Sequence, residues 1–388
     1  MIRWLEEAEE IKDEIIALRR DLHAHPEVGN AEYRTTEVLE KWLNSCGIET
    51  QKPLATGLYG ILHCAKKGGT VMLRSDIDAL PVEERTGLPF SSVNPGVMHA
   101  CGHDIHMSAL CGAAKLLAKH KDELAGNLVF VLQPDEEQDG GAERMMAAGA
   151  LEGVEACFGA HINPALPAGT AGIRYGKFYA AAVKFDVVVH GKGSHGAEPE
   201  NGIDALYAAA IMCQRLKELT GIYDGTRAVV TVGTLHSGTV RNILNDTAVF
   251  TGIIRTFGTA ARDARKEDFM KVIHETEAET GVTAEVTLTD GYPGVVNHDA
   301  ETELAENALV SLLGRKNVSE VPETMTTEDF GYYILEKPGC FYHLGAGSPY
   351  PLHSPMMNPD ERAVPAGAAA HAAVIEAWLN AHAQETES

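Results

Sequence analysis

The sequence predicts an α/β protein of two domains, the larger one discontinuous and interrupted by a ferredoxin-like α+β insert. Three observations predict it. Apolar strand-like runs (YGILHCA, TVMLRS, NLVFVLQP, ACFGAHI) alternate with helical stretches over residues 1–180, the pattern of a sheet with covered faces. Between 181 and 291 the order changes to β-α-β-β-α-β. From 292 onward the alternation returns, and 388 residues exceed what a typical single core uses.

The elements follow in order. Residues 3–25 carry Leu5, Ile11, Ile15, Leu18 and Leu22 at helical spacing, closed by Pro26. A second helix spans about 31–45 and ends at Gly47, a C-cap residue. A helix over about 104–120 lies among the four strand-like runs. The insert begins with the strand VKFDVVVHG (183–191) and a helix over 201–219. The strands AVVTVGTLHSG and TAVFTGIIRTF, a helix over 262–280 and the strand TAEVTLTD (283–290) complete it. Next come a helix near 300–313, the strand CFYHLGA (340–346) and a helix from about 365. The expected domains are therefore 1–180 with 292–388, and 181–291. A short polar tail, AQETES, ends the chain.

Composition narrows the function classes. A net charge of −23 repels phosphate backbones and anionic membrane surfaces, so neither nucleic acid nor membrane is expected as a partner. No apolar run reaches the ~18 residues of a membrane span. The acidic start MIRWLEEAEEIKDEI has no apolar signal-peptide core, so a cytoplasmic location is expected. Seven widely spaced cysteines without a CxxC argue against a disulfide framework or a zinc knot. Most sit in apolar stretches as core thiols; Cys101 stands apart.

The densest chemistry is MHACGHDIHMSA (98–109). Cys101 and His103 straddle Gly102 and can face one ion, for which thiolate and imidazole suit zinc and its neighbours. The plainer alternative is a helix start capped by Asp104. At the end of NLVFVLQP, Glu136 and Glu137 are adjacent, so their side chains diverge: one can hold a metal while the other takes a water proton. The alternative there is a solvated acidic loop. His161 ends a strand and His353 follows one; single histidines in such places are commonly structural, as are His23, His25, His99 and His106. Asp76 and Asp78 end the TVMLR strand, where they can orient metal ligands or cap a turn before Pro81. GKGSHG (191–196) fits a dinucleotide glycine pattern. Its context fails: the next strands look antiparallel, and Glu218 and Asp224 do not end a strand. A flexible turn presenting His195 fits better.

In order along the chain stand RRDLHAHPEVG (19–29), LRSDIDALPV (73–82), MHACGHDIH (98–106), QPDEE (133–137), GAHINP (159–164), GSHGAEPENGID (193–204), TEDFGYY (327–333) and PLHSP (351–355). Together they resemble the M20 metallopeptidase superfamily. Within it they resemble the amidohydrolase branch of hippurate hydrolases, N-acyl-amino-acid deacylases, N-acetyl-diaminopimelate deacetylases and auxin-conjugate hydrolases. The resemblance implies a discontinuous metallohydrolase domain with an inserted satellite domain, and two divalent ions (zinc, manganese, cobalt or nickel) held by Cys101, His103, Glu137, His161 and His353. It implies Glu136 as general base, with His195, Asn242 and Arg255 meeting the substrate. That substrate would be a small N-acyl amino acid, and the enzyme a homodimer joined through the satellite domain. A dipeptidase or carboxypeptidase, or a non-catalytic metal-binding relative, is the alternative. Domain closure would need a hinge near 178–183 and 290–294. Departures from the family pattern are Gln138 and Asp139 after the base, the missing proline in RNILND after Asn242, and Met356 and Met357 where an aromatic is common beside the acyl pocket.

Overall fold

The computed structural model describes residues 2–223 and 225–383. All of the AQETES tail but Ala383, and Asp224, lie outside them. The chain forms two compact units of mixed α/β structure.

The first unit comprises the chain up to Gly176, Asn297–Pro322, and the chain from Tyr332 onward. Its sheet has eight strands, in the order Glu49–Gln51, Leu58–His63, Ala125–Gln133, Lys66–Asp76, Ala156–Asn163, Gly339–Gly345, Ala171–Ile173 and Val318–Glu320. The four central strands run parallel, and the register sets Asp76 opposite Gln133 and His161 opposite His343. Their C-terminal ends therefore share one edge, where loops of open α/β sheets gather ligands. These strands are buried almost throughout, which is why they read as unbroken apolar runs. Helices His103–Lys119, Ala363–Ala381, Asp299–Leu313 and Lys12–Ala24 pack with one another and around the sheet in one continuous core.

Several boundaries differ from expectation. The run over 3–25 divides at Ile11 into helices Ile2–Glu10 and Lys12–Ala24. Trp4 and Ala8 take the buried positions of the first helix, and Leu5 is exposed. Met357 is a fully buried core residue, so it cannot line an acyl pocket; Met356 is half-buried.

The second unit comprises Lys177–Val296 with Glu323–Gly331. Its sheet runs Gly221–Tyr223, Thr226–Ser237, Thr247–Thr256, Ala181–His190, Thr283–Asp290, with every neighbouring pair antiparallel. Val183, Phe185, Val187 and Val189 alternate inward along the first of these strands in sequence, against helices Ala205–Glu218 and Thr259–Thr280. The first helix starts four residues later than expected, because the Asp204 side chain caps it by accepting the Tyr207 N–H at 3.0 Å. Glu323–Gly331 joins this unit through main-chain bonds: Ala180 N–H donates to the Thr326 carbonyl and Thr324 N–H to the Phe178 carbonyl, both at 2.9 Å. A dinucleotide fold needs adjacent parallel strands; here Ala181–His190 has only antiparallel neighbours, and GKGSHG leads into the short strand Ser194–His195, which pairs antiparallel with Ile243–Leu244.

Candidate metal centre

Gly102 makes the first turn of the centre. Its φ of +90° is left-handed, and a Cβ there would stand 2.2 Å from Ile162 Cδ1. Only glycine fits, and the resulting turn sets Cys101 just before the helix that His103 begins. Asp104 does not cap that helix. Its carboxylate instead accepts from Arg19 Nε at 2.6 Å and lies 2.9 Å from His23 Nδ1, tying in the Lys12–Ala24 helix.

The structure brings all five candidate ligands together. Cys101 Sγ lies 3.3 Å from His161 Nε2 and 3.3 Å from His353 Nε2. Glu137 Oε1 is 3.4 Å from His353 Nε2 and 3.8 Å from His103 Nε2. Donor atoms on one tetrahedral zinc-sized ion stand roughly 3.3–3.6 Å apart. Two candidate groups, Cys101–His103–His161 and Cys101–Glu137–His353, share the sulfur. Glu136 is buried beside them, grouped with His103 and Glu137 within 4.8 Å.

Orientation comes from residues behind the donors. His103 Nδ1 faces the Asp78 carbonyl at 2.9 Å and Asp78 Oδ1 at 3.1 Å. His161 Nδ1 donates to the Ile162 carbonyl at 2.8 Å. Neutral His161 thus carries its proton on Nδ1 and presents Nε2 as a lone pair, while the Nδ1 contacts of His103 leave its Nε2 as the position a cation would take by displacing a proton. Asp78 Oδ2 also accepts the Glu137 N–H at 2.9 Å. Asp76 bonds His106 Nδ1 at 2.7 Å and Arg74 Nη1 at 2.9 Å, and His106 Nε2 accepts the Ile162 N–H at 2.8 Å. Asp78 therefore orients the candidate ligands His103 and Glu137, while Asp76 is tied to Arg74 and His106 behind them. His353 sits at φ +66°, a left-handed conformation rare for its residue type, with its N–H bonded to the Ala100 carbonyl at 2.8 Å.

The electrostatics fit a cation. His103 Nε2 and Glu137 Oε1 are buried with no hydrogen-bond partner among the described residues. Burial pushes the Cys101 thiol well up, and the Glu137 and Glu136 carboxylates add to it. Burial disfavours the His103 imidazolium, yet Asp76 and Asp78 outweigh it and lift its pKa to about 10. Burial lowers His161 well below the usual imidazole range, leaving it neutral. A thiol next to carboxylates and a proton-holding imidazole is a set whose protons divalent cations displace.

The other three candidates belong to the second unit. His195 and Asn242 are neighbours: Gly196 N–H donates to the Asn242 carbonyl at 2.8 Å, and His195 pairs with Ile243. Both side chains are exposed. His195 Nδ1 accepts the Ala197 N–H at 3.2 Å, so in the neutral ring Nε2–H is the free donor. Arg255 lies on the strand Thr247–Thr256; its Nη1 donates to the Met325 carbonyl, and its Nε has no partner among the described residues. Sequence reasoning left out Arg74, Asn30 and Glu32. Only Arg74, two residues before Asp76 on the same strand face, had a local signal.

Comparison with known proteins agrees with this geometry. Residues 72–377 match the family model described as peptidase family M20/M25/M40. N-acetyl-L-cysteine deacetylase of Bacillus subtilis is 35% identical over 357 residues, covering 91% of this chain and 85% of that protein. Thermostable carboxypeptidase 1 of Saccharolobus solfataricus is 36% identical, covering 96% and 97%. The crystal structure of a dinuclear metal-binding peptidase of the M20 family from Bacillus subtilis superposes with a TM-score of 0.87 at 33% identity, covering 96% of this chain and 99% of that one. With four-fifths of its length inside the family model and its candidate metal ligands converged in space, this chain belongs to peptidase family M20/M25/M40.

Proposed function

We propose that this protein is a metal-dependent amidohydrolase that cleaves a small N-acyl amino acid into a carboxylate and a free amino acid. The observation that carries the reading is Cys101 Sγ within 3.3 Å of both His161 and His353, beside Glu137 and a separate buried carboxylate, Glu136. Cys101, His103, Glu137, His161 and His353 would hold two divalent ions, for which zinc, manganese, cobalt and nickel all suit the S/N/O donor set. Bound there, the ions would supply Lewis acidity to the amide carbonyl and acidify a water.

The chain's own residues do the rest. Glu136 takes the water proton and returns it to the leaving nitrogen. His195 offers Nε2–H to the developing oxyanion, with Asn242 beside it. Arg255 pairs the substrate's α-carboxylate, for which a guanidinium fork is well shaped. The second unit acts as the inserted satellite domain and as the contact of a homodimer. Free thiols at all seven cysteines suit a reducing, cytoplasmic setting. Among the described residues no helix is long and apolar enough to cross a membrane.

A second reading, cleavage of short peptides from the carboxyl end, is favoured by one observation: a relative 36% identical over nearly the whole chain is named a carboxypeptidase. The deciding experiment strips the protein with chelator, restores it with each metal, and assays N-acetyl amino acids, benzoyl-glycine and dipeptides. Metal-restored hydrolysis of the acyl amino acids over dipeptides is expected. The reverse preference selects the second reading, and no hydrolysis with any metal removes both.

A further inference from the structure

Among the described residues only three other than glycine adopt a left-handed backbone: Asn30, Asp135 and His353. His353 is a candidate ligand. The other two touch each other, and Asp135 immediately precedes Glu136. An aspartate takes this conformation less readily than glycine, and its surroundings favour it here.

What holds it comes from the segment HPEVGNAE, which the chemistry so far leaves without a task. Glu32 Oε1 accepts the Asp135 N–H at 2.8 Å, inside the core. Asn30 Nδ2 donates to Asp135 Oδ2 at 2.8 Å. Arg144 closes the ring, donating to Asp135 Oδ2 at 2.7 Å and to Asn30 Oδ1 at 2.6 Å. Gly29 lies against the same carboxylate: a Cβ there would stand 2.1 Å from Asp135 Oδ1. The segment is itself anchored next to Asp78, since the Ala79 N–H donates to the Glu27 carbonyl at 2.8 Å. Backbone and side chain of Asp135 are thus fixed by separate partners. Burial pushes Glu32 up to about 7, so a carboxyl is kept here against its own solvation.

We propose that Glu32 and Asn30 are positioning residues: by clamping Asp135 in its left-handed turn they aim the Glu136 carboxylate. The proposal rests on the reading of Glu136 as the proton acceptor. Rotation of one peptide at Asp135 would swing Glu136 away while leaving Glu137 tied to Asp78.

The test combines kinetics with amide exchange on the metal-loaded protein. Glu32→Ala should lower kcat about 10- to 100-fold, the effect of a roughly 1 Å misplacement, with KM and metal content unchanged. Glu32→Gln, whose amide oxygen still accepts the Asp135 N–H, should retain most of kcat. Exchange at the Asp135 amide should speed up in Glu32→Ala and not in Glu32→Gln. Should Glu32→Ala fail to fold, Asn30→Ala serves, with the same split between kcat and KM expected. In a Glu136→Gln background Glu32→Ala should cause no further loss, because both act through one carboxylate. Wild-type kcat in Glu32→Ala or Asn30→Ala, a kcat loss that only tracks metal loss, or multiplicative losses in the double variant would overturn the proposal. Failure of the underlying reading shows separately, as turnover retained by Glu136→Gln alone.

Discussion

Asp78 grips His103 twice, through its carbonyl at 2.9 Å and its carboxylate at 3.1 Å, while its second oxygen holds the Glu137 main chain at 2.9 Å. One side chain thus fixes donors that lie far apart in sequence. Partners of this kind are worth about 10- to 100-fold in metal affinity. Asp78→Ala should therefore weaken metal binding by that factor in a chelator competition. Unchanged affinity would show that His103 and Glu137 are held by other means.

Glu136→Gln should lower kcat by about 100-fold or more with both ions still bound, measured by elemental analysis beside steady-state assays. Loss of metal together with activity would move Glu136 into the ligand set instead.

Arg255→Ala should weaken binding of substrates with a free α-carboxylate about 10- to 100-fold, the worth of a hydrogen bond between charged groups. Their α-amides should be affected far less. Equal losses on acid and amide would place the carboxylate elsewhere.

Gly102→Ala meets two obstacles: a left-handed φ and the Ile162 Cδ1 atom. Together they should cost about 2–4 kcal/mol of stability. Adding Ile162→Val, which removes Cδ1 but keeps Cγ1 at 2.8 Å from the new Cβ, should restore only a minor part in urea denaturation, since the backbone term and that second contact remain. No recovery would mean that the Cδ1 contact adds nothing to the cost.

Glu84 supplies one pH-dependent contribution to stability. Burial opposes its ionisation, but His23 at 3.3 Å, the Ser92 N–H at 2.6 Å and the Thr86 hydroxyl outweigh it and bring its pKa down to about 2. A depressed folded pKa means stability that is complete above the unfolded value near 4.5 and lost as pH falls towards 2. Allowing for partial screening, this amounts to about 2 kcal/mol. Glu84→Gln should lose about that much at pH ~7 and clearly less at pH ~3.5. An equal loss at both would assign the effect to packing.

The alternation of strands and helices was legible because apolar periodicity is local, and the buried central strands could hardly read otherwise. The division of the first helical run at Ile11 and the transfer of Glu323–Gly331 to the second unit were not legible. Leu5 and Trp4 are both apolar neighbours, and the contacts that draw 323–331 away at Thr324, Met325 and Thr326 fall on its main chain, two from main-chain groups and one from the distant Arg255 side chain, so its own residue types do not record them. Likewise Met357 beside His353 reads as a pocket residue by position and proves to be core.

The sequence by itself determined which groups are available for chemistry: a thiol, three imidazoles and two adjacent carboxylates in family order, with a glycine where only glycine can turn. Tertiary structure alone decided which atoms meet, which nitrogen of each histidine is free, and that Asp78, Asp76, Glu32 and Asn30 stand behind them. The reason is physical. Residue type fixes what a side chain can donate or accept, whereas the aim of a donor is set by partners that folding brings from distant parts of the chain, and no local pattern records them.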